Sequence, residues 1–174
     1  MEEKAKYVKD TLVIKNELLM PNDTNMFNKL MGGKMMYWMD IAAGISAQKL
    51  SNSLAVTASV DNISFKHPIE ISSIVTLRAQ VTRSFKTSME VYIEVTAENI
   101  PKKTKQFTNS AFFTFVAVDK NGKPIRVPEV IPETDREKKL YEGALRRRQL
   151  RLIFAGRLKP SDANELKALF DQKI

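Results

Sequence analysis

Hydrophobic and polar positions follow different patterns in successive parts of the 174-residue chain. The run "TLVIKNELLM" predicts a short strand that ends at Pro21. The block from about Gly33 to Leu50 is apolar on nearly every side and rich in Ala and Met, which predicts a helix buried on most of its surface. From Leu54 onward the apolar positions alternate with polar ones, which predicts strands.

Four alternating segments, residues 54–65, 74–85, 88–98 and 105–119, predict four strands. The segment 88–98 is the clearest, because its apolar and polar residues separate onto two faces. Met89, Val91, Ile93 and Val95 share one face, and Glu90, Tyr92, Glu94 and Thr96 share the other. The last segment ends in a continuous apolar run, typical of a strand buried on both faces. Because the connections are short, we expect antiparallel neighbours.

Beyond Pro132 the composition changes to basic and helical. Thr134 followed by Glu137 is a capping box that begins a helix, and Gly156 ends it. A last short helix is expected from Pro160. The chain is therefore predicted to form an α+β domain over residues 1–132, with an antiparallel sheet wrapped around one central helix, and a basic helical C-terminal extension over residues 133–174. The open sheet edge favours pairing with a second copy.

Composition excludes several classes of site. The chain has no cysteine, which excludes disulfides and thiolate metal sites. The single histidine, His67, argues against a histidine-based metal site and a Ser-His-Asp triad, and its position before Pro68 indicates a loop or strand end. The net charge of +8 indicates either a polyanionic partner or ordinary solubility. No export signal or membrane-spanning run is visible, so we expect a cytoplasmic protein.

The candidate chemistry lies around the central helix. Asp40 is the one acidic residue in a long apolar stretch, and apolar surroundings make a carboxylate a stronger base. Gly32 and Gly33 precede that stretch, where free N–H groups of a helix N-terminus polarise a carbonyl. Both features have a plainer explanation. Asp40 could be hydrogen-bonded to backbone or face solvent, and Gly32 and Gly33 could form a simple helix-entry turn.

The sequence resembles the hotdog-fold acyl-CoA thioesterases, the group with bacterial acyl-CoA hydrolases and the brain-type acyl-CoA hydrolase. The resemblance covers about Asn22 to Pro128. It is carried by several motifs in order: Thr24-Asn25, Gly32-Gly33, Met39-Asp40 before Ala42-Ala43-Gly44, then Val60, Ile63, Phe65, Pro68 and Ile69, and the strand Phe113–Asp119 before Val127-Pro128. The resemblance implies the hotdog fold and hydrolysis of an acyl-CoA thioester to the free acid and coenzyme A, a reaction of fatty acid metabolism.

The resemblance also assigns roles to residues. Asp40 is the expected general base, Asn25 faces it from the second subunit of a homodimer, and the N–H of Gly33 polarises the carbonyl. Lys86, Thr87 and Ser88 match a segment that contacts coenzyme A. Coenzyme A is part of the substrate, so no cofactor is expected. Relatives often assemble as trimers of dimers.

The chain departs from the family pattern at three places. Asn28 stands where the family usually has glycine, and asparagine tolerates a left-handed backbone better than most residues. Ile71-Ser72-Ser73 replaces a V-G-D turn, which predicts an altered loop. Phe85 replaces a glycine in the segment matched to coenzyme A contact.

Two other functions remain open on the sequence. One is a non-catalytic acyl-CoA-binding hotdog regulator whose basic tail touches nucleic acid, although the tail lacks interleaved aromatics and no helix-turn-helix signature is present. The other is a hotdog hydratase or dehydratase, which usually pairs a histidine with an acidic residue. His67 lies outside the helical region where such a pair is expected.

Overall fold

The computed structural model describes residues 4–61, 63–65 and 67–171. The start of the first predicted domain, the end of the second and the last residue of the final predicted helix therefore lie outside the described part. The strands and helices are β1 Lys6–Tyr7, β2 Val13–Leu18, α1 Gly32–Ser51, β3 Leu54–Val60, β4 Ile74–Ser84, β5 Ser88–Asn99, β6 Thr104–Val118, β7 Val130–Ile131, α2 Asp135–Phe154 and α3 Asn164–Asp171.

Five of the strands form one antiparallel sheet in the order β2-β4-β5-β6-β3. The sheet curls around α1, and the predicted hotdog architecture is confirmed. The strands β1 and β7 form a separate parallel pair that the sequence did not predict. Each is two residues long, which is too short to show a period.

The core lies between α1 and the concave face of the sheet. Trp38, Met39 and Ala42 of α1 are buried, as are Phe113 and Phe115 of β6. The predicted apolar face of β5, from Met89 to Val95, is completely buried. Since replacing such a buried phenylalanine by alanine typically costs about 3–5 kcal/mol, this packing holds α1 in place.

Three expectations from the sequence were wrong in detail. In this single chain α1 is not buried on most sides, because Met36, Tyr37 and Ile45 are exposed on the face away from the sheet. The strand β3 ends at Val60 rather than at Phe65. The strand β6 is not buried equally on both faces, because alternate residues near its end remain half-buried on the convex side.

The chain divides into two compact units, residues 1–131 and 132–174. In the second unit, the capping box of Thr134 and Glu137 begins α2 as predicted. The final helix starts later than expected, because residues Pro160–Asp162 form a separate 3₁₀ turn before α3. The side chain of Gln149 in α2 accepts a hydrogen bond from the backbone N–H of Leu166 in α3, at 2.9 Å. None of the described helices is both long and apolar enough to cross a membrane.

Candidate active site

The N-terminus of α1 is open. Its N-cap residue, Met31, has no side-chain acceptor, and the first intrahelical bond is donated by the N–H of Met35 to the carbonyl of Met31 at 3.0 Å. The N–H groups of Gly32, Gly33 and Lys34 donate to no described residue. A Cβ on Gly33 would meet no atom within 4 Å. Three donors at the positive end of the helix therefore have no partner among the described residues, and the space beside Gly33 is accessible.

A cavity of about 530 Å³ lies beside this helix end. Its lining is mostly apolar, with three polar side chains, which is typical of a small-molecule site. The lining residues are Asn25, Phe27, Lys29, Leu30, Gly32, Met35, Phe65, His67, Pro68 and Ile69. Gly32 lines the cavity directly: a Cβ there would touch the ring of Phe65 at 3.4 Å. The predicted residue Gly33 follows it in the helix but is not part of the lining.

Asn25 lies in the loop before α1 and contacts both the loop backbone and the cavity. Its Oδ1 accepts the backbone N–H groups of Phe27 at 2.9 Å and Lys29 at 3.2 Å, so it shapes the turn before α1. Its side chain also lines the cavity. Because Oδ1 is committed to the turn, the Nδ2 group is the donor left for a ligand.

Three ion pairs lie around this loop. Lys34, in the first turn of α1, binds Asp23 at 2.9 Å, and this hydrogen bond is the main cause that lowers the pKa of the Asp23 carboxyl. Glu70 accepts from both Lys102 and Lys29, which lowers its pKa to about 2. Lys29 therefore links the cavity wall to the segment that leads into β4.

Asp40 lies in the third turn of α1 and is half-buried, rather than enclosed by apolar side chains. Its Oδ1 accepts a hydrogen bond of 2.6 Å from the hydroxyl of Thr57 in β3. Thr57 was not among the residues predicted from the sequence. Ser and Thr are scattered along this strand, and only the strand register shows which of them faces the helix.

A single chain does not bring Asn25 and Asp40 together. Asp40 is seven residues beyond Gly33, or about 10 Å along the helix axis. It does not line the cavity that contains Asn25. Within the part of the chain that the structure describes, the open helix end and the Asp40–Thr57 pair are therefore two separate features.

The segment predicted to contact coenzyme A, Lys86-Thr87-Ser88, lies at the turn between β4 and β5, and Ser88 is the first residue of β5. The N–H of Phe85 donates to the carbonyl of Ser88 at 2.7 Å, and the Lys86 side chain is exposed. Val116 in β6 is the register partner of both Ser88 and Val56, so the turn lies about 10 Å across the sheet from the residue before Thr57. The turn thus shares one end of the sheet with the Asp40–Thr57 pair and does not line the cavity.

The left-handed backbone expected at Asn28 is present, with φ of 55°. The altered loop at residues 71–73 also contains a left-handed residue, Ser72, with φ of 64°. His67 was expected at a loop or strand end, and it lies between β3 and β4, where it lines the cavity. Among the described residues, no group of three acidic or histidine side chains could hold a metal ion.

Comparisons with known proteins place the chain among thioesterases. Residues 27–103 match the Thioesterase superfamily. An uncharacterized acyl-CoA thioester hydrolase of Bacillus subtilis is 39% identical over 82% of this chain and 83% of its own length. The crystal structure of an apo-hexameric acyl-CoA thioesterase superposes with a TM-score of 0.85 at 38% identity, covering 88% of this chain and 98% of the other.

The chain is also similar to an acyl-CoA hydrolase of Staphylococcus aureus solved with butyryl coenzyme A, coenzyme A and coenzyme A disulfide. That structure has a TM-score of 0.80 at 34% identity and covers 87% of this chain and 94% of the other. The same hydrolase has been solved as three alanine variants, of one aspartate, one asparagine and one threonine, with TM-scores of 0.80, 0.82 and 0.79.

Proposed function

Because the chain belongs to the acyl-CoA thioester hydrolases of the thioesterase superfamily, we propose that it cleaves acyl-CoA with a water activated by Asp40. The observation that carries this mechanism is the open end of α1, where Gly32 lines a largely apolar cavity and the N–H groups of Gly32 and Gly33 donate to no described residue. A thioester carbonyl placed there would have its oxygen at the N–H groups of Gly32 and Gly33. Those donors stabilise the negative charge that develops on the oxygen as water attacks.

The proposed reaction is a simple hydrolysis. Asp40 takes a proton from water as the water oxygen bonds to the thioester carbonyl carbon, and the carbon–sulfur bond then breaks. A thiol with an ordinary pKa of about 8.5 leaves as thiolate without a dedicated acid. The products are the free acid and coenzyme A, and the reaction needs no cofactor.

Thr57 is the positioning residue for Asp40 in this proposal. Its hydroxyl donates to Oδ1 of Asp40, so the carboxylate is held in one orientation. The other oxygen, Oδ2, takes no part in this hydrogen bond and is the one proposed to accept the proton from water. The Staphylococcus aureus variants support the set of residues. There the asparagine, aspartate and threonine follow one another at intervals of 15 and 17 residues, the same intervals that separate Asn25, Asp40 and Thr57 here.

The site is proposed to be completed by a second copy of the chain, with Asn25 and Gly33 of one protomer facing Asp40 and Thr57 of its partner. The separation of the two features within one chain supports this arrangement. So does the free edge of the sheet at β3, where Leu54 and Val56 are exposed. The similarity to a hexameric thioesterase favours three such dimers.

Lys86, Thr87 and Ser88 are proposed to contact the coenzyme A part of the substrate, because their turn lies at the same end of the sheet as Asp40 and Thr57. A cytoplasmic role in fatty acid metabolism belongs to the same proposal, and the bacterial relatives fit it. The alternative of a non-catalytic regulator has less support, since the similar proteins are named hydrolases.

A panel of acyl-CoA esters, beginning with butyryl-CoA, tests the activity directly when thiol release is followed with a thiol reagent. We expect steady thiol release by the wild-type chain and almost none by Asp40→Ala or Asn25→Ala. Full hydrolysis rates in both variants, with the dimer intact, would reject these assignments.

Mixed dimers test whether the site is shared. When Asn25→Ala and Asp40→Ala chains are mixed, half of the dimers contain one of each, and one of their two sites has both native residues. We therefore expect recovery of about a quarter of the wild-type rate. Sites contained within one chain would give no recovery, because every site would still have one defect.

A further inference from the structure

A phenylalanine ring lies against the open end of α1. A Cβ built on Gly32 would stand 3.4, 3.6 and 3.8 Å from three carbons of the Phe65 ring. Because a carbon–carbon bond is about 1.5 Å long, the ring is at most about 5 Å from the Cα of Gly32. Carbon atoms in contact are about 3.5–4.0 Å apart, and a third carbon between two others needs roughly 7 Å. No further carbon therefore fits between Gly32 and the ring.

The Phe65 ring is a wall of the cavity that remains open to solvent. It is 51% exposed, whereas Met35 and Ile69, which line the same cavity, are buried. A large apolar side chain that lines a concave, mostly apolar site is typical of a surface that an apolar ligand covers.

The cavity wall that contains Phe65 is fixed to the loop before α1. The N–H of Leu30 donates to the carbonyl of Ile69 at 2.9 Å, and Lys29 binds Glu70 at 2.9 Å. Both bonds join residues on opposite sides of the cavity opening. They limit how far the wall can move to admit a bulky group.

The proposed site leaves this cavity for the acyl group. The carbonyl oxygen is placed at the N–H groups of Gly32 and Gly33. The turn assigned to coenzyme A, residues 86–88, and the Asp40–Thr57 pair do not line the cavity. A butyryl chain has three carbons beyond the carbonyl and fills about 90 Å³, at roughly the volume of a water molecule for each carbon. The cavity of about 530 Å³ therefore limits such a group by its shape near Gly32 rather than by its total volume.

We propose that Phe65 is a specificity-determining residue that admits straight acyl chains and excludes a branch on the carbon next to the carbonyl. This inference rests on the proposed function. That carbon is one bond from the carbonyl carbon, so it passes the ring where Gly32 and Phe65 are in contact. A straight chain presents only hydrogens there, whereas a branch adds a methyl group that meets the ring. One such group in a packed apolar site typically changes kcat/KM about 10- to 200-fold.

Butyryl-CoA and isobutyryl-CoA test the proposal, because they contain the same atoms and differ only in the branch. For the wild-type chain we expect kcat/KM to be about 10- to 100-fold higher with butyryl-CoA. Phe65→Ala should bring the two values within about threefold of each other, mainly by raising the value for isobutyryl-CoA. Phe65→Leu, with a smaller side chain, should give an intermediate ratio.

Phe107→Ala is the matched control. Phe107 is 50% exposed, lies in β6 and does not line the cavity, so its loss removes a similar apolar side chain without changing the site. The wild-type ratio should persist in this variant. An unchanged ratio in Phe65→Ala, or equal changes in Phe65→Ala and Phe107→Ala, would overturn the proposal.

Ketone analogues separate this selection from hydrolysis. S-(2-oxopentyl)-coenzyme A and S-(3-methyl-2-oxobutyl)-coenzyme A carry the straight and the branched group on a carbonyl that a methylene separates from sulfur, so neither can be hydrolysed. In calorimetric titrations the wild-type chain should bind the straight analogue about tenfold more tightly, and Phe65→Ala should bind both equally.

The analogues and the thioesters together distinguish the two proposals. Selective, Phe65-dependent binding in a chain that hydrolyses no thioester would keep the selection and reject the proposed function. Equal kcat/KM of the wild-type chain for butyryl-CoA and isobutyryl-CoA, with thiol released from both, would reject the selection and keep the proposed function.

Discussion

The helices α1 and α2 are both 20 residues long but begin in opposite ways. At α2, the hydroxyl of Thr134 accepts the N–H of Glu137 at 3.2 Å, and the carboxylate of Glu137 accepts the N–H groups of Thr134 and Glu133. At α1, Met31 offers no acceptor, and the first N–H groups donate to no described residue. One helix start is closed by its own side chains, and the other is open.

This difference separates a structural helix from a functional one. A satisfied N-terminus stabilises its helix and has nothing left for a ligand. An open N-terminus gives up that stabilisation, typically about 1 kcal/mol, and keeps its donors and its positive dipole end for a developing negative charge. The apolar cavity beside α1 and the carboxylate in its third turn fit the second case.

The largest effect should come from the carboxylate on α1. Asp40→Asn keeps the shape of the side chain and can still accept from Thr57, but it removes the proposed base. We expect thiol release from acyl-CoA to fall about 10²- to 10⁴-fold. The control is Glu142→Gln, which neutralises an exposed carboxylate on α2 and should leave the rate unchanged. A fall in both variants, or in neither, would remove the functional distinction between the helices.

Closing the end of α1 should give the next largest effect. Met31 has φ of −66° and ψ of 134°, an extended conformation that suits a capping residue. Met31→Asp should therefore place a carboxylate on the N–H groups of Gly33 and Lys34. We expect kcat to fall about 10²- to 10³-fold and the free energy of unfolding to rise by about 1 kcal/mol. Met31→Leu, which offers no acceptor, should change neither, and a capped helix with full activity would contradict the proposed role.

Loss of the hydrogen bond to Asp40 should have a smaller effect. Thr57→Val removes the donor and keeps the shape, so we expect kcat to fall about tenfold to hundredfold. Thr57→Ser restores the hydroxyl and should recover most of the rate. If serine and valine gave equal rates, packing rather than the hydrogen bond would explain the effect of Thr57.

Removing the N-terminal cap of α2 should have the smallest effect, a change in stability with no change in the rate of hydrolysis. Thr134→Ala removes the cap, and we expect a loss of about 1 kcal/mol in the free energy of unfolding, or about 2–4 °C in melting temperature. Thiol release should be unchanged, and Thr134→Ser should retain wild-type stability. A reduced rate in Thr134→Ala would show that the start of α2 is not purely structural.

Local features of this fold were predictable because they depend on residues within a few positions of one another. The alternation of Met89, Val91, Ile93 and Val95 predicted the buried face of β5. The pair Thr134 and Glu137 predicted the capping box. The isolated β1–β7 pair was missed, because two residues carry no period.

The sequence by itself determined a glycine-rich start to an apolar helix, a carboxylate two turns further on, and the strands that surround it. Only the tertiary structure decided which residues meet. Thr57 reaches Asp40 because of the register of β3, Asn25 stays apart from Asp40 in one chain, and the ring of Phe65 lies against Gly32. Periods and caps arise from neighbouring residues, whereas these juxtapositions depend on how whole elements pack and pair.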